Sequence, residues 1–201
     1  MLFLELVNIA PVLITLYLFV FSIYKCSSFY LFSFLAQFTG IYINRILKEF
    51  LFKTIYSIFG TKTSEGIHIP LLGIGNRPLD AMCCDEIFNC KNSLSKTFGM
   101  PSGHAQSISI LISMFISHWW RNEKGKNSLE KTKNIINKKW EWLLLMFMIA
   151  LGIFYTRVFY TKCHTTQQVL LGYISGALIG WIFHNIYVKY GETFFHKEKI
   201  I

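Results

Sequence analysis

The sequence predicts an all-α fold: a polytopic membrane helical bundle of about five to six transmembrane helices. Three observations lead there. The 201 residues are 53% hydrophobic and only 15% charged, where soluble domains carry about 25% charged residues. The apolar residues fall in long blocks, roughly 2–24, 28–47, 49–59, 103–120, 140–160 and 167–188. The basic residues crowd into one short stretch, 121–139. Folding that many apolar runs into a soluble core would leave too little polar surface to cover it. A chain of this length makes one domain, so residues 1–201 read as a single integral-membrane domain.

The blocks give the elements in order. A spanning helix takes about 20 mostly apolar residues, and five of the blocks reach that range. The first has Glu5 as its only charge, with Lys25 after it. It lacks a basic start and a small-residue cleavage site, so it reads as a retained helix. The block 49–59 is short and reads as interfacial or re-entrant. The stretch 121–139 holds seven basic residues against Glu123 and Glu130. Short loops of that composition stay cytoplasmic, so this is a basic cytoplasmic loop. The segment 61–100 is balanced, with four basic and four acidic residues. Five crossings then put segment 60–100 and residues 157–166 on the outer or lumenal side. The charge of +9 is thereby a topology signal, and nucleic-acid binding is not expected. Three cysteines, Cys83, Cys84 and Cys90, lie in the 60–100 segment, and Cys163 adjoins His164. An oxidising lumen permits disulfides there. The spacing Cys-Cys-x5-Cys fits no common zinc site.

Two helix ends on that side carry chemistry. Pro101-Ser102-Gly103-His104 opens the block that runs to Trp120. Pro suits a first helical turn and Ser an N-cap, and free amides at a helix start attract anions. His104 beside a bound phosphate can donate a proton to a leaving oxygen. Arg157 closes the block from Trp140, and His164 follows seven residues on. The planar fork of arginine suits phosphate oxygens. His164 can attack phosphorus if a neighbour fixes its tautomer, and Gln168, one turn on, can accept from Nδ1–H. Arg77-Pro78 supplies a second guanidinium, and Lys48 ends the second block. The remaining histidines, His68, His118, His184 and His196, have no motif around them. Trp119-Trp120 and Trp140/Trp142 read as membrane-interface residues.

The order Lys … Arg-Pro … Pro-Ser-Gly-His … Arg … His resembles the type 2 phosphatidic acid phosphatase (PAP2) superfamily, with its pattern K-x6-R-P, P-S-G-H and S-R-x5-H-x3-D. Gly99 to Gln106, and His164-Thr165 with Gln168-Val169, look like its dolichyl-diphosphatase branch. The resemblance spans about 44–188 and implies a PAP2/haloperoxidase-like helical core. It implies His164 as nucleophile through a phosphohistidine, with His104 as general acid. Arg77, Arg157, Lys48, Ser102 and Gly103 would bind phosphate, and Gln168 would stand where other branches have Asp. It implies no metal and no cofactor. The substrate would be a polyprenyl (dolichyl) diphosphate in the endoplasmic reticulum membrane, with the site lumenal. Another lipid phosphate, head-group transfer to an alcohol, or a non-catalytic descendant are the alternatives. Three departures stand out. Pro70 occupies the motif lysine position, and from Lys48 to Arg77 there are 28 residues rather than six, which the resemblance implies is a lumenal insertion over about 49–76. Thr156 replaces the motif serine. Six residues rather than five separate Arg157 from His164.

Overall fold

The computed structural model describes residues 2–64, 66–79, 81, 84 and 98–191, with side chains from Ile9 onward. Asp80, Cys83, Asp85, Glu86, Cys90, His196, Lys197 and Lys199 lie outside the described residues. The chain is mostly helical. Helix α1 is Leu2–Lys25, α2 Ser28–Ile46, α3 Lys53–Phe59, α4 Gly103–Asn122, α5 Ser128–Tyr155 and α6 Thr166–Ile186. Two of these, with their C-terminal extensions, are long and apolar enough to cross a membrane: Ser128–Tyr160 and Thr166–Gly191. A shorter apolar helix covers Ile9–Lys25.

Three expectations change. The block 49–59 is not a separate segment. Leu47–Phe52 is wound as π-helix between α2 and α3, so helix runs unbroken from Ser28 to Phe59. The basic stretch is not all loop. Only 123–127 is non-helical, and α5 begins at Ser128, capped by Asn127 accepting from the Glu130 amide at 2.9 Å. Side-chain capping offsets unpaired first-turn amides, and the basic residues from Lys131 onward line that helix. Third, the fold is not purely α. Thr61–Thr63, Gly66–Ile69 and Gly73–Ile74 form a small antiparallel sheet, β1-β2-β3. Alternation over so few residues is too short to separate from loop.

The packing of α4 on α6 organises the molecule. Gly172, Gly176 and Gly180 recur every fourth residue on α6. A Cβ at each would lie 2.5, 2.2 and 2.4 Å from the carbonyl oxygens of Ser102, Gln106 and Ile110. Only hydrogen fits there, so the backbones touch, as small-residue stripes permit in membrane helices. Both series ascend together, so α4 and α6 run parallel and their N-termini meet. Around this pair, Phe29, Ala36, Ile110, Met114 and Ile179 form one buried cluster, and Ile108 and Ile153 another against α1 and α5. Gln106 locks the centre. Its Nε2 donates to Gly40 O at 2.9 Å, and its Oε1 accepts from Asn44 at 2.8 Å and Ser175 at 3.2 Å. A buried amide in so apolar a setting must have such partners.

Candidate active site

Every sequence-predicted site residue comes to one end of the bundle. The parallel α4–α6 pair explains half of it. Ser102 caps α4 and Thr165 caps α6, and Ser102 N–H donates to Gln168 O at 3.0 Å. This bond fastens Pro101-Ser102-Gly103-His104 to the turn holding His164. Thr165 and Gln168 form a capping box, each side chain facing the other's backbone amide. Ser102 is fully buried, and its Oγ has no hydrogen-bond partner among the described residues. A buried hydroxyl left over in this way suits an incoming oxygen ligand.

Arg157 arrives by a different device. Thr156–Tyr160 is π-helical, with Thr161 N–H reaching Thr156 O at 2.8 Å. Winding i→i+5 takes one more residue per closed loop than α winding. The six-residue spacer between Arg157 and His164 is thus accommodated within the helix end. Lys162 then reverses the chain in the left-handed region at φ 50°, and His164 N–H closes on Arg157 O at 3.1 Å. Arg157 is buried, and a guanidinium nitrogen contacts His104 Nε2 closely. Arginine can only donate, so His104 presents its lone pair at Nε2 in this state.

Lys48 also reaches the site. Lys48 lies in the π-helical stretch that continues α2, and Lys53 N–H bonds its carbonyl. Its side chain lines one cavity of about 410 Å³ with Arg77, Gly103, His104 and His164. The extra 22 residues of spacer are the rest of that helix and the small sheet. Tyr56 holds the sheet in place, its hydroxyl shared by Leu72 O and Gly73 O at 3.1 Å. A disulfide joins Cys84 to Cys163, tying the segment after Arg77 to the residue before His164. No sequence signal selected that pair among the cysteines.

Gln168 fixes the tautomer of His164. Its Nε2 donates to Ile74 O at 2.8 Å and Asn76 O at 2.9 Å. Carbonyls accept only, so the amide cannot be flipped and Oε1 must face His164 Nδ1, 3.0 Å away. His164 therefore carries its proton on Nδ1 and its lone pair on Nε2. Burial pulls the His164 imidazole well below its ordinary range, and the charges of Lys48, Arg77 and Arg157 pull the same way, against the Gln168 bond. A neutral imidazole among three cations leaves the pocket with positive charge to be met by an anion.

The cavity is amphiphilic. Beyond the cations its walls are Val12 and Leu16 of α1, Ile41 of α2 and Ile110 of α4. Fold and site together define a helical protein with a cation-lined pocket and two helices long and apolar enough to cross a membrane. The PAP2 superfamily pattern matches residues 71–192, and the chain belongs to that superfamily, whose members are phosphatases acting on phosphorylated, lipid-like substrates. No curated protein and no solved structure matches it. Lys48 and the whole of α1 and α2 lie outside the matched residues.

Proposed function

We propose that the protein hydrolyses a polyprenyl (dolichyl) diphosphate to the monophosphate and inorganic phosphate, through a phosphohistidine on His164. One observation carries the reading: His164, with Nε2 unprotonated by virtue of Gln168, lines a pocket with Lys48, Arg77 and His104. The terminal phosphoryl group enters among Lys48, Arg77 and Arg157, with Ser102 Oγ and the Gly103 amide completing its oxygen contacts. Its charge draws the Arg157 fork away from His104, whose Nε2 then takes a proton from solvent water. His164 Nε2 attacks the terminal phosphorus. The bond to the bridging oxygen breaks, and His104 gives its proton to the departing polyprenyl monophosphate. Water then attacks the phosphohistidine while His104 accepts its proton, and phosphate leaves with His164 restored. Catalysis is thus positioning and charge stabilisation, as phosphoryl transfer requires.

The apolar wall from α1 and α2 supports a lipid chain, which remains at the bilayer while its head group reaches the cations. Gln168, neutral where other branches carry a carboxylate, supports the diphosphatase branch. The disulfide beside the site supports an oxidising compartment, here the endoplasmic reticulum lumen. The basic stretch at the far end of α4 supports the matching cytoplasmic face. The test is phosphate release by purified protein from dolichyl diphosphate, phosphatidic acid and a sphingoid phosphate in parallel. The reading expects dolichyl diphosphate to have the highest kcat/KM. Preference for another lipid overturns the substrate, and loss of lipid phosphate to an added alcohol reveals transfer instead of hydrolysis.

A further inference from the structure

A second concavity, of about 440 Å³, lies at the opposite end of α4. From His104 to Trp119 the helix rises about 22 Å at 1.5 Å per residue, so this site is separate from the phosphatase pocket. Its walls are aromatic: Phe29, Tyr30, Phe115, Trp119 and Tyr187. Its polar rim holds Ser27, Asn122 and Lys139, with His118 stacked on Phe29 at 4.0 Å. Aromatic walls with a few placed polar groups are the usual make-up of a ligand site.

Charge decides what it takes. Glu123 also lines the pocket, but Lys138 neutralises it at 2.6 Å. Lys139 has no carboxylate partner among the described residues, and its ammonium rests 5.9 Å from the Trp119 ring. Its backbone is the one non-helical point inside α5, with φ −126° and ψ 15°. The kink turns the segment 128–138 across the pocket, burying Ile135 in it. The other side of that segment leaves Leu129 and Ile136 exposed beside Lys133, the amphipathic pattern of a helix lying in a membrane surface.

We propose that this pocket binds the phosphate-bearing head group of an anionic membrane lipid, from the leaflet opposite the phosphatase site. Lys139 and Ser27 hold the phosphate oxygens, and the aromatic walls take the start of the acyl chains. The ammonium leaves the Trp119 face to do so, and the basic residues around the kink supply the complementary field.

The test uses the purified full chain, delipidated in detergent and titrated with phosphatidylglycerol by native mass spectrometry. The phosphodiester of this probe keeps it from being a substrate of the histidine site. Lys139→Gln removes the charge, and Ser27→Phe fills the pocket without changing charge. Both are expected to weaken binding about tenfold or more, as loss of a charge-assisted contact does. Lys133→Gln, the same charge change on the exposed outer side, is expected to stay within about twofold of the parent. Thermal unfolding checks that each variant is folded, and the two pocket variants act through different residues. Equal loss in Lys133→Gln, or unchanged binding in both pocket variants, overturns the site. Displacement of the lipid by an equal concentration of inorganic phosphate overturns the lipid and leaves a soluble-anion site.

Discussion

The α4–α6 pair and the arm from Lys48 to Cys84 deliver the same kind of cargo by opposite means. On the pair, three glycines hold two backbones in register, and each helix start presents a histidine. Position follows from regular geometry. The arm is irregular: a π-wound helix, a three-stranded sheet and a disulfide-tied turn bring Lys48 and Arg77 to the pocket. Its charges act over distance, so they tolerate variation in the chain between them. The groups that make and break bonds need placement to a fraction of an ångström, whereas cations that stabilise charge have more latitude. The difference teaches where a motif spacing can stretch.

Breaking the pair should hurt most. His164→Ala removes the proposed nucleophile, and phosphate release is expected to fall by at least about four orders of magnitude. Gln168→Leu keeps the imidazole but loses the Nδ1 acceptor, for a fall in kcat of roughly 10²- to 10⁴-fold with little change in KM. An unchanged kcat there would separate the tautomer argument from the chemistry. Gly176→Val puts methyl groups against Gln106 O. It should destabilise the protein by about 1–3 kcal/mol, read as a lowered unfolding temperature with activity lost in step.

Changes in the arm should be milder. Lys48→Met is expected to lower kcat/KM roughly tenfold to a hundredfold. It should also move a pH profile. The Lys48 charge helps push the His164 imidazole down, so removing it lets that value rise toward 6.5. In the proposed reaction His164 must be neutral to attack, so the acid limb of kcat/KM shifts to higher pH in the variant. A limb that stays put would mean Lys48 is too far away to act on His164.

The sequence exposed the pair better than the arm, for physical reasons. Pro101 to His104 and His164 to Gln168 are local patterns, each contained in one helix turn and its cap. The apolar blocks marked α1, α2, α4, α6 and the C-terminal part of α5, since long apolar runs leave a clear trace, but the polar first turns of α5 and the continuity of α3 with α2 were hidden. What stayed hidden depends on non-local geometry. Winding by i→i+5 at Lys48 and at Arg157 leaves no residue signature, so the odd spacings looked like defects. The stripe Gly172, Gly176, Gly180 was readable, since its four-residue period is a packing signal, yet without the partner helix it names no neighbour. The pairing of Cys84 with Cys163 and the grip of the Ile74 and Asn76 carbonyls on Gln168 required the fold. His118 and His184, which carry no motif, prove to sit in the aromatic cluster with Phe29 and Tyr187.

The central claim is that His164 carries the phosphoryl group, and trapping that intermediate tests it most directly. Rapid acid-free quenching of the enzyme with dolichyl diphosphate labelled on its terminal phosphate, followed by peptide mass spectrometry, should find an acid-labile phosphate on the peptide containing His164. The label should vanish in His164→Ala. Turnover with the label on another residue, or turnover that persists in His164→Ala, would contradict the account.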